Sequence, residues 1–206
     1  MNTEQKVAQA LLKIGAVRFV PDNPITFKSG IISPVYIDNR KLPFHPKEWK
    51  VVIESFAKII KKEKIKFDVI AGVEAAGIPH SAALGFFMKK PSVFVRKEAK
   101  DHGTKRMVEG GSVLNKNVLL VEDLVTTGGS SLCAVANLRK EGGKVHHCLA
   151  IVYYNFPRVR DEFSKAKVRL HTVSSFPVIL GEAKKIGVVK TDKLKKVENW
   201  FDNHTK

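Results

Sequence analysis

The sequence predicts an α/β fold in which helices cover both faces of a mainly parallel, five-stranded sheet. Two observations support this prediction. Five continuous apolar runs alternate with helical segments along most of the chain, and strands that are buried on both faces have this appearance. Glycines and hydroxyl residues follow several of these runs, at the strand ends where α/β sheets bind ligands. The carboxyl edge of the sheet is therefore the predicted site.

The N-terminal part has a different pattern. Thr3 can cap a first helix, which carries apolar residues on one face. Residues 17–45 are rich in proline, glycine and β-branched residues and predict a short antiparallel unit. Pro46 opens a second helix at the first-turn position that proline tolerates. We expect residues 1–206 to form one domain, with a small addition from about 1–45 and a core from about 46–206.

The five predicted strands are separated by helical segments near 77–90 and 130–141 and by further helical stretches toward the C-terminus. The strands read FDVIAGV (67–73), SVFVRK (92–97), NVLLVED (117–123), KVHHCLAIVYY (144–154) and VRLHTVSS (168–175).

Composition excludes several classes of protein. The net charge of +16, from 36 basic and 20 acidic residues, favours anionic partners, although scattered lysines also suit a solvated surface. Cys133 and Cys148 have no metal-ligand spacing and lie among apolar residues, so we expect buried, reduced thiols. The N-terminus lacks a signal-peptide core, and the most apolar window, 69–88, contains a glutamate, a proline and a histidine. The predicted protein is cytoplasmic, with no membrane partner.

The stretch VLLVEDLVTTGGSS (118–131) carries the clearest chemistry. Its buried strand ends in Glu122 and Asp123, and a turn of glycines and hydroxyls then leads into a helix. Such a turn at a helix N-terminus binds anions, a phosphate above all. The carboxylates would repel that phosphate, but they can accept hydrogen bonds from vicinal hydroxyls. A ribose 5-phosphate presents both groups, although a tight turn with an acidic flank explains part of the pattern too.

Three segments together resemble a known family. Residues 118–131 resemble the phosphoribosyl-pyrophosphate motif of the type I phosphoribosyltransferases, in which the acidic pair holds the ribose hydroxyls and the loop holds the 5-phosphate. FKSGIISPVYID (27–38) resembles the N-terminal hood of orotate phosphoribosyltransferases, and RKEAKDHGTKRMVEGG (96–111) resembles their mobile catalytic loop. The resemblance spans nearly the whole chain and implies the type I phosphoribosyltransferase fold with a small N-terminal hood.

The resemblance also implies a set of site residues. Lys100, His102 and Asp123 are the implied catalytic residues. The implied orotate contacts are Lys28, Tyr36, Ile37 and Thr126. The implied phosphoribosyl-pyrophosphate contacts are Lys28, Arg96, Lys97, Lys100, His102, Glu122, Asp123, Leu124, Val125, Thr126, Thr127, Gly128, Gly129 and Ser130.

The residues of the loop at 96–111 indicate a function independently of the family resemblance. It holds five potential cations within ten residues and several glycines, so it is either an exposed solvated loop or a functional flap. A basic flap can neutralise a departing pyrophosphate and exclude water. By resemblance, the flap reaches the active site of the partner subunit, which implies a homodimer.

Two positions depart from the family pattern. GVEAAGIP (72–79) resembles the pyrophosphate loop, but Ala76 stands where some members carry a lysine. Tyr154 stands at about the position of an arginine that some members place near orotate, and Arg158 is a candidate substitute.

The implied reaction joins orotate to phosphoribosyl pyrophosphate and gives orotidine 5-phosphate and pyrophosphate, a step of pyrimidine biosynthesis. Mg²⁺ is the implied cofactor, held through substrate and water with no direct protein ligand. Two alternatives stay open at this point. One is a phosphoribosyltransferase for another base, and the other is a non-catalytic regulator that kept the fold and binds nucleic acid. We expect no specific nucleic-acid partner.

Overall fold

The computed structural model describes residues 1–27, 29–96 and 106–205. The helices are α1 (Thr3–Lys13), α2 (Pro46–Lys62), α3 (Gly77–Met88), α4 (Gly129–Lys140), α5 (Pro157–Lys165), α6 (Phe176–Lys185) and α7 (Thr191–Thr205), with a 3-10 helix at Asn39–Phe44. The strands are β1 (Val17–Phe19), β2 (Ile25–Thr26), β3 (Ile32–Ser33), β4 (Val35–Ile37), β5 (Val69–Val73), β6 (Ser92–Val95), β7 (Val108–Glu109), β8 (Asn117–Val125), β9 (Lys144–Tyr153) and β10 (Arg169–Ser175).

The central sheet has the strand order β10-β9-β8-β5-β6-β7. The five predicted strands form its parallel part, and helices flank it, so the predicted fold class is confirmed. The sequence missed β7, which adds two residues antiparallel to β6 and is too short to show a period. Each of the five β5 residues is buried, as is most of β8, which explains their continuous apolar sequences.

The sequence predicted the first residue of α2 correctly, but it misplaced the N-cap of α1. Pro46 opens α2, as expected. The prediction that Thr3 caps α1 was wrong by one residue, because Asn2 is the cap. Its side chain accepts from the Gln5 amide while the Gln5 side chain accepts from the Asn2 amide, and asparagine and threonine are both good caps.

The N-terminal strands pair as the predicted short antiparallel unit, β1 with β4 and β2 with β3. The C-terminal helix α7 holds this unit in place. Trp200 on α7 donates its indole N–H to the Ile32 carbonyl over 2.7 Å, and Lys193 and Lys196 both pair with Asp22. The unit is thereby fixed beside the carboxyl edge of the sheet, where Asn39 also donates to the Asp123 carbonyl.

The two cysteines differ in environment. Cys148 is buried in β9, and burial raises the pKa of its thiol well above the ordinary value. Cys133 is exposed on α4, so the prediction that both thiols are buried was wrong for Cys133. The apolar neighbours of Cys133 in sequence lie on other faces of the helix, which a local reading of composition does not resolve. None of the helices in the described parts of the chain is long and apolar enough to cross a membrane.

A buried histidine should make the stability of the protein depend on pH. His80 on α3 is fully buried and accepts the Trp49 indole N–H over 3.0 Å. Burial lowers the pKa of His80 from 6.5 to about 4. The unfolded chain therefore binds a proton below pH 6.5 that the folded chain binds only near pH 4, so the contribution of neutral His80 is complete above pH 6.5 and is lost as the pH falls to about 4.

We expect the free energy of unfolding to fall by up to about 3 kcal/mol through this group between pH 7 and pH 4. Urea unfolding of the wild type and of His80→Gln across that range measures it. The variant should show the shallower pH dependence, and parallel curves for the two proteins would refute the assignment.

Candidate functional site

The acidic pair lies at the carboxyl end of β8, in the middle of the sheet. Glu122 is only 5% exposed, and its carboxylate accepts from the Ser131 hydroxyl over 3.3 Å and from the Asp123 backbone N–H over 3.1 Å. Asp123 is more exposed. Glu122 therefore supports the loop that follows, whereas Asp123 is the more accessible carboxylate of the pair.

Burial raises the pKa of Asp123, although a hydrogen bond shared with the Glu122 carboxyl group, hydrogen bonds donated by backbone N–H groups and the charge of Arg40 act to lower it. A partly buried carboxylate with a raised pKa gains stability from further hydrogen-bond donors. Vicinal hydroxyls of a sugar are such donors.

The loop after the pair has the geometry of an anion site. Gly128 has φ +82°, a conformation that glycine adopts without strain, and α4 begins at the next residue. No side chain in the described parts of the chain caps α4, so its first backbone N–H groups point to the loop without a side-chain acceptor. A cavity of about 140 Å³ lies here, lined by Phe27, Ser29, Leu124, Thr126, Thr127, Gly128, Gly129, Ser130 and Ser131. The predicted phosphate loop is thus one wall of a cavity, and the N-terminal unit supplies another.

A second glycine loop lies directly beside the acidic pair. It connects β5 to α3, and it is held so close that a Cβ atom on Gly77 would lie 2.6 Å from the Val121 carbonyl oxygen. A Cβ atom on Gly72 would lie 2.9 Å from the Gly77 carbonyl oxygen. Only glycine allows α3 to start this close to the end of β8. Ala76 lies in this loop and brings no cation.

This packing gives a prediction for stability. Gly77→Ala should lower the free energy of unfolding by about 1–3 kcal/mol, since the new methyl group meets backbone that has to move. Gly181→Ala is the matched control, because no atom lies within 4 Å of a Cβ atom there. It lies inside α6 and should be neutral or stabilising by about 0.5–1 kcal/mol. Urea unfolding compares them, and equal effects of the two substitutions would contradict the close packing.

Two of the residues predicted to contact the base, Tyr36 and Ile37, differ in their exposure to solvent. Ile37 is 5% exposed and belongs to the hydrophobic core, whereas Tyr36 is half-buried. The Arg40 guanidinium donates to the Tyr36 hydroxyl over 2.7 Å and to Asp38 over 2.6 Å, and Arg18 lies 5.0 Å from the Tyr36 ring centre. Tyr36 is therefore the more accessible of the two side chains, and Ile37, the next residue along β4, points to the opposite face and into the core.

Arg40 is a residue that sequence reasoning missed. Its charge lowers the pKa of Asp123, so it lies near enough to the acidic pair to matter electrostatically. The spacing of Asp38 and Arg40 was the signal that could have found it, because an aspartate two residues before an arginine at the start of a turn can pair with it.

Tyr154 has no access to a ligand. It is fully buried, and its ring packs against Phe27 at 5.7 Å, Phe156 at 5.5 Å and Phe176 at 5.3 Å between centroids. Its contact with Phe27 makes it a support for the wall of the cavity. Arg158 is exposed in the first turn of α5, and its predicted role near the base stays a prediction.

The predicted flap leaves the sheet at Arg96 and returns at β7. Arg96 donates to Glu109 over 3.2 Å, and its backbone N–H bonds to the Met107 carbonyl. The two ends of the flap are therefore tied together. Four predicted site residues lie outside the described residues: Lys28, Lys97, Lys100 and His102.

The described residues hold no group of three or more histidine, cysteine, aspartate or glutamate side chains arranged to bind a metal ion. At the carboxyl edge of the sheet the donor set is the acidic pair, and Glu122 is already engaged with Ser131.

Comparison with known proteins agrees with this geometry. The model of the phosphoribosyl transferase domain family matches residues 41–182. An orotate phosphoribosyltransferase of Coxiella burnetii is 36% identical over 200 residues, which cover 97% of this chain and 96% of that protein. Among solved structures, the UMP synthase of Leishmania donovani is 27% identical with a TM-score of 0.86 and matches 98% of this chain and 43% of its own length. The orotate phosphoribosyltransferase of Aeropyrum pernix is 27% identical with a TM-score of 0.72, covering 88% and 99% of the two chains.

Proposed function

Because this chain belongs to the orotate phosphoribosyltransferases of the type I phosphoribosyltransferase family, we propose that it transfers the phosphoribosyl group of phosphoribosyl pyrophosphate to orotate. The products are orotidine 5-phosphate and pyrophosphate, in pyrimidine biosynthesis. The observation that carries the proposal is the acidic pair near the end of β8, directly before the anion loop of residues 126–131, to which Glu122 is joined by the hydrogen bond from Ser131. We propose that residues 1–45 and 46–206 act together as one domain, in the cytoplasm.

The ribose-phosphate end of the substrate fits the described residues best. The 5-phosphate accepts hydrogen bonds from the first N–H groups of α4 and from the hydroxyls of Thr126, Thr127 and Ser130. Asp123 accepts hydrogen bonds from the ribose hydroxyls, and Glu122 holds Ser131 and thus the end of the loop. The loop also includes four residues that contribute through their backbone groups and the shape of the turn: Leu124, Val125, Gly128 and Gly129. The 5-phosphate is bound by the loop and the ribose hydroxyls are bound by Asp123. Together these contacts orient the anomeric carbon of the sugar.

The leaving group needs positive charge. The second glycine loop, at residues 74–76, can bind the pyrophosphate through its backbone groups, but Ala76 provides no positive charge. The flap carries the cationic side chains, which are Arg96, Lys97, Lys100 and His102. Cations that arrive with a flap after the substrate has bound stabilise the departing pyrophosphate in the transition state and exclude water. Lys28 belongs to the same end of the site.

Mg²⁺ fits this donor set as an ion bound mainly through substrate, because one carboxylate of the acidic pair is already engaged and Mg²⁺ commonly keeps water and phosphate ligands. When bound, Mg²⁺ neutralises charge on the pyrophosphate.

The base end of the site is formed by the N-terminal unit. Tyr36 offers a flat face, and Arg18 and Arg40 hold its ring and hydroxyl. Their charges also favour an anionic base such as orotate, which carries a carboxylate. Thr126 lines the cavity of the phosphate loop, and Ile37 anchors β4 in the core.

We propose a homodimer in which each flap serves the partner's site. The exposed apolar residues in the last turn of α3 support a partner surface at the end of this helix that lies away from the pyrophosphate loop, since Phe86 is 91% and Phe87 51% exposed. Large aromatic side chains at such exposure are typical of surfaces that another chain covers. Phe44, at 86%, is a third such residue.

The proposed activity is tested with purified protein, phosphoribosyl pyrophosphate, Mg²⁺ and one base at a time: orotate, uracil, hypoxanthine or xanthine. We expect release of pyrophosphate with orotate and at least 100-fold lower kcat/KM with the other three, because a site that pairs a substrate carboxylate leaves its cations unpaired with a neutral base. A preference for a purine would replace orotate in the proposal. Turnover of none of the four would favour a regulatory protein.

A further inference from the structure

A second cavity lies outside the proposed catalytic site. It has a volume of about 600 Å³ and lies between α5, β9 and β10, a size within the usual range for small-molecule sites. Its lining consists of His146, Tyr153, Arg160, Phe163, Ser164, Lys167, Val168, Arg169, Leu170 and Thr172.

The charged side chains that line this cavity are all basic. Arg160, Lys167 and Arg169 line it, and no carboxylate is among the lining residues. Arg169 pairs with Glu63 over 3.0 Å, whereas Arg160 and Lys167 form no ion pair with the described residues. Two cations without a counter-charge at one cavity favour an anion there.

The walls of the cavity combine apolar and polar groups. Tyr153 and Phe163 are buried aromatic residues, and Ser164 and Thr172 contribute hydroxyls. Burial raises the pKa of the Tyr153 phenol, and Arg160 lowers it, which places the guanidinium beside the ring. The two buried rings therefore form a closed apolar floor, and a phosphate fits the exposed cations Arg160 and Lys167.

The two cavities meet at Phe163. Its ring lines the larger cavity, and its Cε2 atom lies 2.9 Å from the position of a Cβ atom on Gly128, in the phosphate loop. The Tyr153 backbone pairs with Val125 at the same level of the sheet. The large cavity is therefore separate from the phosphate loop and shares one wall with it.

We propose that the cavity between α5, β9 and β10 is a second anion site, which binds a nucleoside monophosphate with its phosphate near Arg160 and Lys167. The site goes beyond the proposed reaction, because none of the residues just named takes part in it.

Lys167 provides a clean test. It has φ +54° and follows the last turn of α5, so Lys167→Gly removes the cation at a backbone conformation that glycine adopts more easily. Arg160→Gln removes the second cation from the exposed surface of α5. Lys89→Gly is the matched control, because Lys89 also has φ +54°, follows the last turn of α3 and lies outside the cavity.

The measurement is a calorimetric titration with AMP, on protein whose catalytic site carries one equivalent of phosphoribosyl pyrophosphate with Mg²⁺. We expect one AMP per chain for the wild type and for Lys89→Gly, and at least tenfold weaker binding for the double variant Arg160→Gln/Lys167→Gly at an unchanged melting temperature. Adenosine should bind at least tenfold more weakly than AMP.

The absence of AMP binding to the wild type up to millimolar concentration would overturn the proposal. Equal AMP affinity of the wild type and the folded double variant would also overturn it, since the nucleotide would then occupy the phosphate loop. Neither result would affect the proposed transferase activity, which is measured separately with orotate.

Discussion

Asp123→Asn is expected to lower kcat/KM with phosphoribosyl pyrophosphate by roughly 5- to 150-fold, equivalent to about 1–3 kcal/mol. The amide keeps the size of the side chain but replaces a charged acceptor by a weaker one. Because Asp123 is partly buried and its pKa is raised by burial, its hydrogen bonds to a sugar form away from bulk water, where they are stronger. Steady-state kinetics with each substrate varied in turn measures the loss.

Asp202→Asn is the control for Asp123→Asn, since Asp202 is exposed on α7, outside the cavity that the phosphate loop lines. It should have wild-type kinetics. If Asp123→Asn keeps wild-type kinetics as a folded protein, the acidic pair does not bind the ribose.

The second prediction concerns catalysis shared between subunits. Lys100→Ala lacks the flap cation and keeps Asp123, whereas Asp123→Asn keeps the flap. The Lys100→Ala homodimer should have little activity, and the Asp123→Asn homodimer should keep the reduced activity predicted above, so the experiment is run under kcat/KM conditions in which that residual activity is measured and subtracted. If the flap acts on the partner's site, a mixed dimer has one site with both defects and one site with neither. An equal mixture after full subunit exchange should therefore recover about a quarter of wild-type activity, because about half of the dimers are mixed and each has one intact site.

The control for the second prediction is the same mixture before exchange, which should stay near the activity of the separate variants. Exchange itself is followed with a fluorescent label on each variant. Complete exchange without recovered activity would show that the flap serves its own subunit.

The parallel strands of the sheet could be predicted from the sequence, because strands that are buried on both faces have uninterrupted apolar runs, as in β5 and β8. The phosphate loop was predictable for a similar reason. The φ of +82° at Gly128 restricts that position to few residue types. The phosphate loop can therefore be recognised from a short, continuous segment of the sequence. Confirmation of the family by comparison covers the same segments.

Features that depend on distant contacts were not predictable. Tyr154 stands in sequence at about the position of an arginine that some family members place near orotate, yet in the fold it is surrounded by the rings of Phe27, Phe156, Phe176 and Trp200. The burial of Ile37 follows from strand alternation, but which face of so short a strand turns inward depends on β1. The position of Arg40 near Asp123 depends on how the 3-10 helix packs on the end of β8.

The central claim is that one edge of the sheet holds a ribose 5-phosphate between the acidic pair and the loop that starts α4. A crystal structure of the protein with phosphoribosyl pyrophosphate and Mg²⁺ tests it most directly. We expect the 5-phosphate to accept hydrogen bonds from the backbone N–H groups of residues 127–131 and the ribose hydroxyls to donate to Asp123, at ordinary hydrogen-bond distances of about 2.6–3.0 Å. A sugar phosphate bound elsewhere, with this loop and Asp123 out of contact, would contradict the claim.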